Sequence, residues 1–440
     1  MTPSAPEPDP RGRRSGLHRE LPPGLGDLLP EAAGQFFSLR RKLLLAMGRW
    51  GYRPTVPPLL EHAEVFSRAQ PDAADEAAYY RLVDRTTGHV LAIRPDFTPQ
   101  IARMAASRFA RASLPLRLCY EGPVVRHVQA QKGRSRELHQ VGAELLGVVD
   151  PEADAEAIAL VTALLAEAGV GGFKVDVGQV EFFRGILLGC ELQPDRVDLL
   201  VGSVARKDLS ELQVLLEDLP VPDGKKRLLA ELPLLAGGVE VLDRASALVE
   251  SDHSRSALEN LAQVVSYVEM HGLAHHLTID LGELRGIDYH TGVIFEAFVH
   301  PLGTALCRGG RYDRLLARYG LDLPATGFSL DLLAVTEALR LQGAAPPPPS
   351  GVFIVNFRAS RSQALGLARR LRSRSVPAAR DLTRRPLEHS LEHAREQGFR
   401  WAAVLGGEGC SEDEAVLVDL GTGERRALAL DELPRHTAEE

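Results

Sequence analysis

Residues 116–147 read LRLCYEGPVVRHVQAQKGRSRELHQVGAELLG. Two alternating runs flank a polar loop. In the first, Leu116 to Arg126, the residues Leu116, Leu118 and Tyr120 share one face of a strand and Arg117, Cys119 and Glu121 the other. The loop QAQKGRS follows, and Arg136 to Gly147 makes the second run. The expectation is an antiparallel hairpin with a long connection. A period of two puts Gln140 and Glu144 on one face with Arg136, while Arg126 ends the partner strand.

Working outward, a helix is expected from about Ala32 to Trp50, followed by an extended stretch from Tyr52 to Leu60. Its prolines suit an edge strand, because proline donates nothing to a ladder. Beyond the hairpin, Asp150 caps a helix with Pro151 at its first position, and Gly169 ends it. Phe173 to Gly178 is a short strand. Residues 179 to about 275 read as amphipathic helix almost throughout, a helical insertion. Strands return at Leu277 to Asp280 and Thr291 to Val299, and a last helix lies near Leu330 to Leu341.

Residues 343–350, GAAPPPPS, form a stiff extended linker. After it, GVFIVNF, SQALGLARRLRS, VPAARDL, PLEHSLEHAREQG and WAAVLGG alternate strand and helix, which implies a small, mostly parallel α/β domain over 351–440. The whole reads as an α+β chain: a tail over 1–20, a body over 21–342 built on an antiparallel sheet with a helical insertion at about 179–275, the linker, and the small C-terminal domain.

Composition narrows the function. Hydrophobic residues make up 45% and charged residues 25%, the profile of a globular protein with a sizeable core. A net charge of −8 does not favour a strongly basic nucleic-acid binder. Arg358 to Arg400 does carry eleven arginines against four acids. An Arg-rich helix face is more often solvated or packed on a partner than bound to RNA. Cys119, Cys190, Cys307 and Cys410 have neither metal-ligand nor redox spacing, so a reducing cytoplasm is expected. No run approaches the roughly 20 apolar residues of a membrane span. No cofactor or metal is called for.

Three polar stretches carry the chemistry: Arg94-Pro95-Asp96-Phe97-Thr98-Pro99, the hairpin, and Leu284-Arg285-Gly286-Ile287-Asp288-Tyr289-His290-Thr291-Gly292. Each alone has a plain structural reading as a surface turn, a solvated sheet face or an Arg285–Asp288 ion pair. Together, Asp96 and Glu144, Arg126 and Arg285, and a tyrosine suit an amino acid's ammonium and carboxylate, since a guanidinium grips a carboxylate with two parallel hydrogen bonds. A carboxylate beside Gln140 suits an ammonium or an imidazole N–H.

These residues also carry a resemblance. Residues 21–342 resemble the catalytic domain of class II histidyl-tRNA synthetases. LRGIDYHTGVIFE is similar to that family's histidine-recognition signature, QKGRSRELHQVGAELLG to its motif 2, GYRPTVPPLLE with Pro58 to the motif 1 dimer element, and GGRYDRLL and PATGFSLD to the approach to motif 3. The C-terminal domain resembles, more loosely, the anticodon-binding domain. Carried over, the resemblance implies a histidine pocket of Asp96, Thr98, Arg126, Gln140, Glu144, Arg285, Tyr289 and His290. In a regular strand Tyr289 and His290 would face opposite ways, so the chain must turn, which Gly286 permits. Arg134 and Arg136 match positions that meet ATP and the tRNA acceptor end.

The departures point away from aminoacylation. Where motif 3 has a glycine and an ATP-gripping arginine, this chain has Asp331 and Ala334. Asp96 and Phe97 stand where the synthetase has glutamate and glycine, and Tyr289-His290 replace paired tyrosines. RPDFTPQIAR is similar instead to the regulatory-subunit family of ATP phosphoribosyltransferase. That family keeps the fold, does not aminoacylate, joins a short-form catalytic subunit and confers feedback inhibition by L-histidine. The resemblance implies a non-catalytic homodimer within a cytoplasmic hetero-oligomer, with no nucleic acid and no membrane partner. Two alternatives remain: an active histidyl-tRNA synthetase, opposed by Ala334, and a synthetase-like tRNA sensor, for which no fused effector segment exists.

Overall fold

The computed structural model describes residues 21–69, 79–127, 135–344, 350–383, 385–406 and 411–437. The tail 1–20, Arg134 with most of its loop, Cys410 and most of the linker lie outside these residues. Contacts divide the chain into two compact units, with the boundary between Ala344 and Ala345.

In the first unit the elements run α1 (Pro30–Arg49), β1 (Arg53–Pro54), β2 (Leu60–His62), α2 (Ala63–Ala69), β3 (Arg81–Val83), β4 (Val90–Ile93), α3 (Thr98–Arg108), β5 (Leu116–Val125) and β6 (Glu137–Leu146). They continue with α4 (Glu152–Ala168), β7 (Lys174–Gln179), six helices α5 (Val180–Leu187), α6 (Pro194–Ala205), α7 (Leu209–Glu217), α8 (Asp223–Glu231), α9 (Glu240–Leu248) and α10 (Asp252–Met270), with the two-residue β8 (Ala236–Gly237) before α9. Then come β9 (Leu277–Asp280), β10 (Val293–Phe298), β11 (Cys307–Arg311), β12 (Ala325–Asp331) and α11 (Leu332–Leu341).

The hairpin is the centre of this unit. β5 and β6 pair antiparallel in unbroken register from Leu116–Leu146 to Val125–Glu137. Around them the sheet orders as β1-β5-β6-β12-β11-β10-β7-β9-β8. Pro54 sits on edge strand β1, parallel to β5, where its missing N–H leaves no ladder bond unmade. Alternation sends the two faces of β5 to two cores: Leu116, Leu118 and Tyr120 pack with Phe97 and Ile101, while Cys119 packs with Leu43 and Met47 of α1 and Ile158 and Val161 of α4.

The expected helices hold with small shifts. α1 opens on Pro30, two residues early, because proline's fixed φ and absent N–H suit a first turn. α4 starts at Glu152 with Asp150 Oδ1 accepting the Glu152 N–H at 2.9 Å, and ends at Gly169. β11 has no strand signal of its own: Cys-Arg-Gly-Gly-Arg has no apolar alternation and becomes a strand by pairing between β10 and β12. A small antiparallel sheet orders as β2-β4-β3.

The second unit contains β13 (Val352–Asn356), α12 (Ser362–Ser373), β14 (Ala378–Arg380), α13 (Leu387–Glu396), β15 (Trp401–Leu405), β16 (Glu414–Asp419), β17 (Arg425–Ala429) and α14 (Leu433–His436). Its sheet orders as β14-β13-β15-β16-β17. The expected parallel core is present in β14-β13-β15. The sheet is mixed, however, because β16 and β17 return antiparallel. Five residues join those strands, with Asp419 Oδ1 accepting from Gly421 N and Thr422 N at 2.8 and 2.9 Å. So short a turn allows only an antiparallel return.

Candidate functional site

A cavity of about 470 Å³ opens over the middle of the nine-stranded sheet, inside the range of about 300–1,000 Å³ typical of small-molecule sites. Seven of the eight candidate residues line it: Asp96, Thr98, Arg126, Gln140, Glu144, Tyr289 and His290. They come from four places in the sequence, brought together by sheet register and by the turn after β9.

Glu144 forms the floor. It is 1% exposed and accepts hydrogen bonds from Thr98 Oγ1 at 2.9 Å, from the Tyr120 hydroxyl at 3.1 Å and from the Tyr312 hydroxyl. The strand register places Glu144 opposite Gly327 of β12. A Cβ at 327 would overlap Glu144 Oε2, so glycine is what lets the carboxylate lie across the neighbouring strand. Burial pushes the Glu144 carboxyl up to about 8; the three hydroxyls oppose this, and the negative charge of Asp96 adds to it. No cation pairs with Glu144 among the described residues.

Tyr120 and Tyr312 are site residues that sequence reading missed. Tyr120 stacks on Phe97 with ring centroids 4.5 Å apart, and the Arg94 guanidinium sits over the Phe97 ring, 3.8 Å from its centroid. Arg94 is 5% exposed and donates to Pro123 O at 2.8 Å and Pro57 O at 3.0 Å, so this segment is a buried scaffold and not a surface turn. Burial lowers the Arg94 pKa to about 10. The alternation of β5 gave the face of Tyr120; that its hydroxyl reaches Glu144 depends on cross-strand placement, which has no local signature.

Among the described residues, the buried Gln140 Oε1 and Tyr289 hydroxyl on the cavity wall have no hydrogen-bond partner. Gln140 Nε2 is used, donating to Ser329 Oγ at 3.2 Å. Unmet buried groups of this kind cost about 1–3 kcal/mol each, which a ligand with matching polar atoms relieves. Arg126 donates through Nε to Pro95 O at 2.9 Å, and it lines the cavity as a charged donor.

The loop before β10 turns as required. Gly286 has φ +71°, and its carbonyl accepts the N–H groups of both Tyr289 and His290 at 3.0 Å. The tight turn puts both side chains on the cavity wall, which a strand could not do. The same turn corrects the expectation for Arg285, which does not line the cavity. It is half-exposed and held by Glu283 at 2.9 Å and Glu296 at 3.1 Å. Those two acids are nearly buried and capture the guanidinium; neither is the Asp288 of the plain reading.

At the far wall Asp331 caps α11, with Oδ1 accepting the Leu333 N–H at 3.0 Å. Burial raises its pKa. Ala334, one turn into that helix, is buried and has no side-chain donor. Among the described residues no group of three or more His, Cys, Asp or Glu side chains is arranged to hold a metal, and no helix is long and apolar enough to cross a membrane.

The antiparallel sheet and its cavity define a body of the class II aminoacyl-tRNA synthetase kind, and residues 24–335 match the family model described as histidyl-tRNA synthetase. A solved histidyl-tRNA synthetase from Nostoc shares the fold with a TM-score of 0.81 at 21% identity, over 95% of this chain and 98% of that one. A Bacillus halodurans protein described as an ATP phosphoribosyltransferase regulatory subunit/histidyl-tRNA synthetase superposes with a TM-score of 0.76 at 29% identity, over 85% of this chain and 96% of that one. The ATP phosphoribosyltransferase regulatory subunit of Syntrophotalea carbinolica is 43% identical over 93% of this chain and 95% of its own length. The chain belongs to the family of ATP phosphoribosyltransferase regulatory subunits.

Proposed function

We propose that this chain senses L-histidine in the cavity over its sheet and transmits that state to a short-form ATP phosphoribosyltransferase catalytic subunit, which it activates for the first step of histidine biosynthesis. It acts as a homodimer within a hetero-oligomer and does none of the chemistry itself. One observation carries the reading. The cavity keeps seven of the eight residues of the expected amino-acid constellation, Arg285 excepted, while the position that would hold ATP is taken by Asp331 and Ala334. Arg126 suits the effector's carboxylate. Asp96, Glu144 and the unpartnered Gln140 Oε1 suit its ammonium and ring N–H groups.

An effector works only through differential affinity for two states, typically about 1–3 kcal/mol of coupling, or roughly 5–150-fold. The test is histidine titration against the reconstituted complex. Glu144→Ala and Arg126→Ala should weaken inhibition. Arg285→Ala should change it little, since Glu283 and Glu296 hold that side chain off the cavity. If Glu144→Ala and Arg126→Ala are inhibited like the parent, histidine is sensed elsewhere.

A further inference from the structure

We propose that the buried Asp154–Arg311 pair is the positioning element of the sensing loop, fixing His290 as the Nδ1–H tautomer so that its bare Nε2 offers an acceptor to a ligand N–H. The inference rests on the reading of the cavity as a histidine site, and it adds residues that touch no ligand.

Arg311 is the last residue of β11, and its side chain is 7% exposed against 1% for Asp154 in the first turn of α4. Nε donates to Asp154 Oδ2 at 2.9 Å. NH1 donates to Val148 O at 3.0 Å and Asp313 Oδ1 at 3.2 Å, and NH2 to Asp150 O at 3.4 Å. The guanidinium is thus locked into the turn that starts α4. Its own backbone carbonyl faces the other way, into the loop, where it accepts the Thr291 N–H at 2.8 Å and lies 3.2 Å from His290 Nδ1. Asp313 adds a second tie, its N–H donating to Thr291 Oγ1 at 2.8 Å.

A carbonyl only accepts, so His290 Nδ1 carries the hydrogen and Nε2 is left with its lone pair. Among the described residues the ring's hydrogen bond is made through Nδ1 and none through Nε2, and the ring lines the cavity. Burial pushes the imidazole down to about 4, so the ring is neutral at physiological pH and Nε2 is an acceptor there. Elsewhere on the cavity wall Gln140 Oε1 is also an unpartnered acceptor among the described residues. The cavity therefore favours a ligand rich in N–H donors, and the Asp154–Arg311 pair decides which ring atom His290 presents.

The experiment uses the full-length chain. Calorimetry measures binding of L-histidine and of 2-thienylalanine, which lacks ring N–H. Imidazole ¹⁵N shifts, with His290→Gln for assignment, report the tautomer. The parent should show the Nδ1–H signature and prefer histidine. Asp154→Asn should lose the single tautomer and bind histidine about tenfold more weakly, with thienylalanine little changed, the scale of one mis-set hydrogen bond. Arg311→Lys, which keeps the charge, should fall between. If Asp154→Asn does not fold, Thr291→Val removes the Asp313 tie without touching the buried pair and should move both readouts the same way, with Thr291→Ser restoring them. Variants that only melt earlier, with the tautomer signature and histidine preference unchanged, overturn the proposal. If the parent binds no histidine, the effector reading falls, and the tautomer signature alone decides the positioning role.

Discussion

Glu144→Gln should change how stability depends on pH, and the size of the change follows from the site. Glu144 is fully buried beneath the cavity, and burial raises its carboxyl from the ordinary 4.5 to about 8. Between those values the folded chain keeps a proton that the unfolded chain releases. A group raised in this way contributes stability below pH 4.5 that is lost as pH climbs through about 8. At about 1.36 kcal/mol per pH unit the displacement corresponds to roughly 5 kcal/mol. Glutamine has nearly the same shape and stays neutral, so the variant lacks this loss. Calorimetric melting of parent and variant without histidine, from pH 5 to 9, should show the parent falling relative to the variant, on the order of 5–10 °C over the range. Parallel curves would mean that Glu144 is ionised throughout and that its three hydroxyl donors outweigh its burial.

Other outcomes follow from the same geometry. The purified chain should not catalyse histidine-dependent pyrophosphate exchange, because Asp331 and Ala334 leave ATP without a grip; exchange at a synthetase-like rate would make it an aminoacylating enzyme. Val56 is 90% exposed, with Leu59 and Leu60 also exposed beside Pro58, so Val56→Glu should shift a homodimer toward monomer in sedimentation, and unchanged mass would place the interface elsewhere. Gly327→Ala should abolish histidine binding in calorimetry by displacing the Glu144 carboxylate, whereas Gly34→Ala, on α1 with ordinary helical backbone and nothing near its Cβ, should leave binding intact. Near-parent affinity in Gly327→Ala would mean that Glu144 is not a ligand contact.

The hairpin, the body helices and the strands Lys174–Gln179 and Leu277–Asp280 were legible because each carries its own period, cap or terminator. Seven of the eight residues carried over by motif resemblance line the cavity. What escaped depends on long-range placement. Cys307–Arg311 is a strand only because its neighbours pair with it, and Glu414–Asp419 and Arg425–Ala429 flank a turn whose Asx bonds are visible only once the chain is folded. Arg285 shows the limit on side chains. Its motif position implied the cavity, but the turn at Gly286 and two buried acids, Glu283 and Glu296, took it elsewhere. Tyr120 and Tyr312 show the converse: ordinary strand and turn residues by sequence, they become site residues because the register aims both hydroxyls at Glu144.

In the proposed reading the pocket holds an amino acid and no nucleotide, and the start of α11 supplies a physical reason. The first turn of a helix presents unpaired N–H groups and a partial positive charge, a ready site for phosphate. In this chain that turn is already served by the protein's own anion, since the Asp331 carboxylate accepts the Leu333 N–H at 3.0 Å. A phosphate arriving there would have to displace the cap and meet its charge, and Ala334 offers no guanidinium in return. One acidic side chain thus stabilises the helix, by roughly 0.5–2 kcal/mol for a typical cap, and occupies the anion site. A few residues away Gln140, opposite Asp331 in the sheet register, still faces the cavity with an unmet acceptor. In the proposed reading, capping the helix and leaving the neighbouring strand untouched parts amino-acid binding from nucleotide binding. The Asp331→Gly, Ala334→Arg double variant should therefore gain ATP binding by calorimetry while its affinity for histidine stays close to the parent's. A double variant that gains nothing for ATP would show that the nucleotide site is closed by more than these two residues.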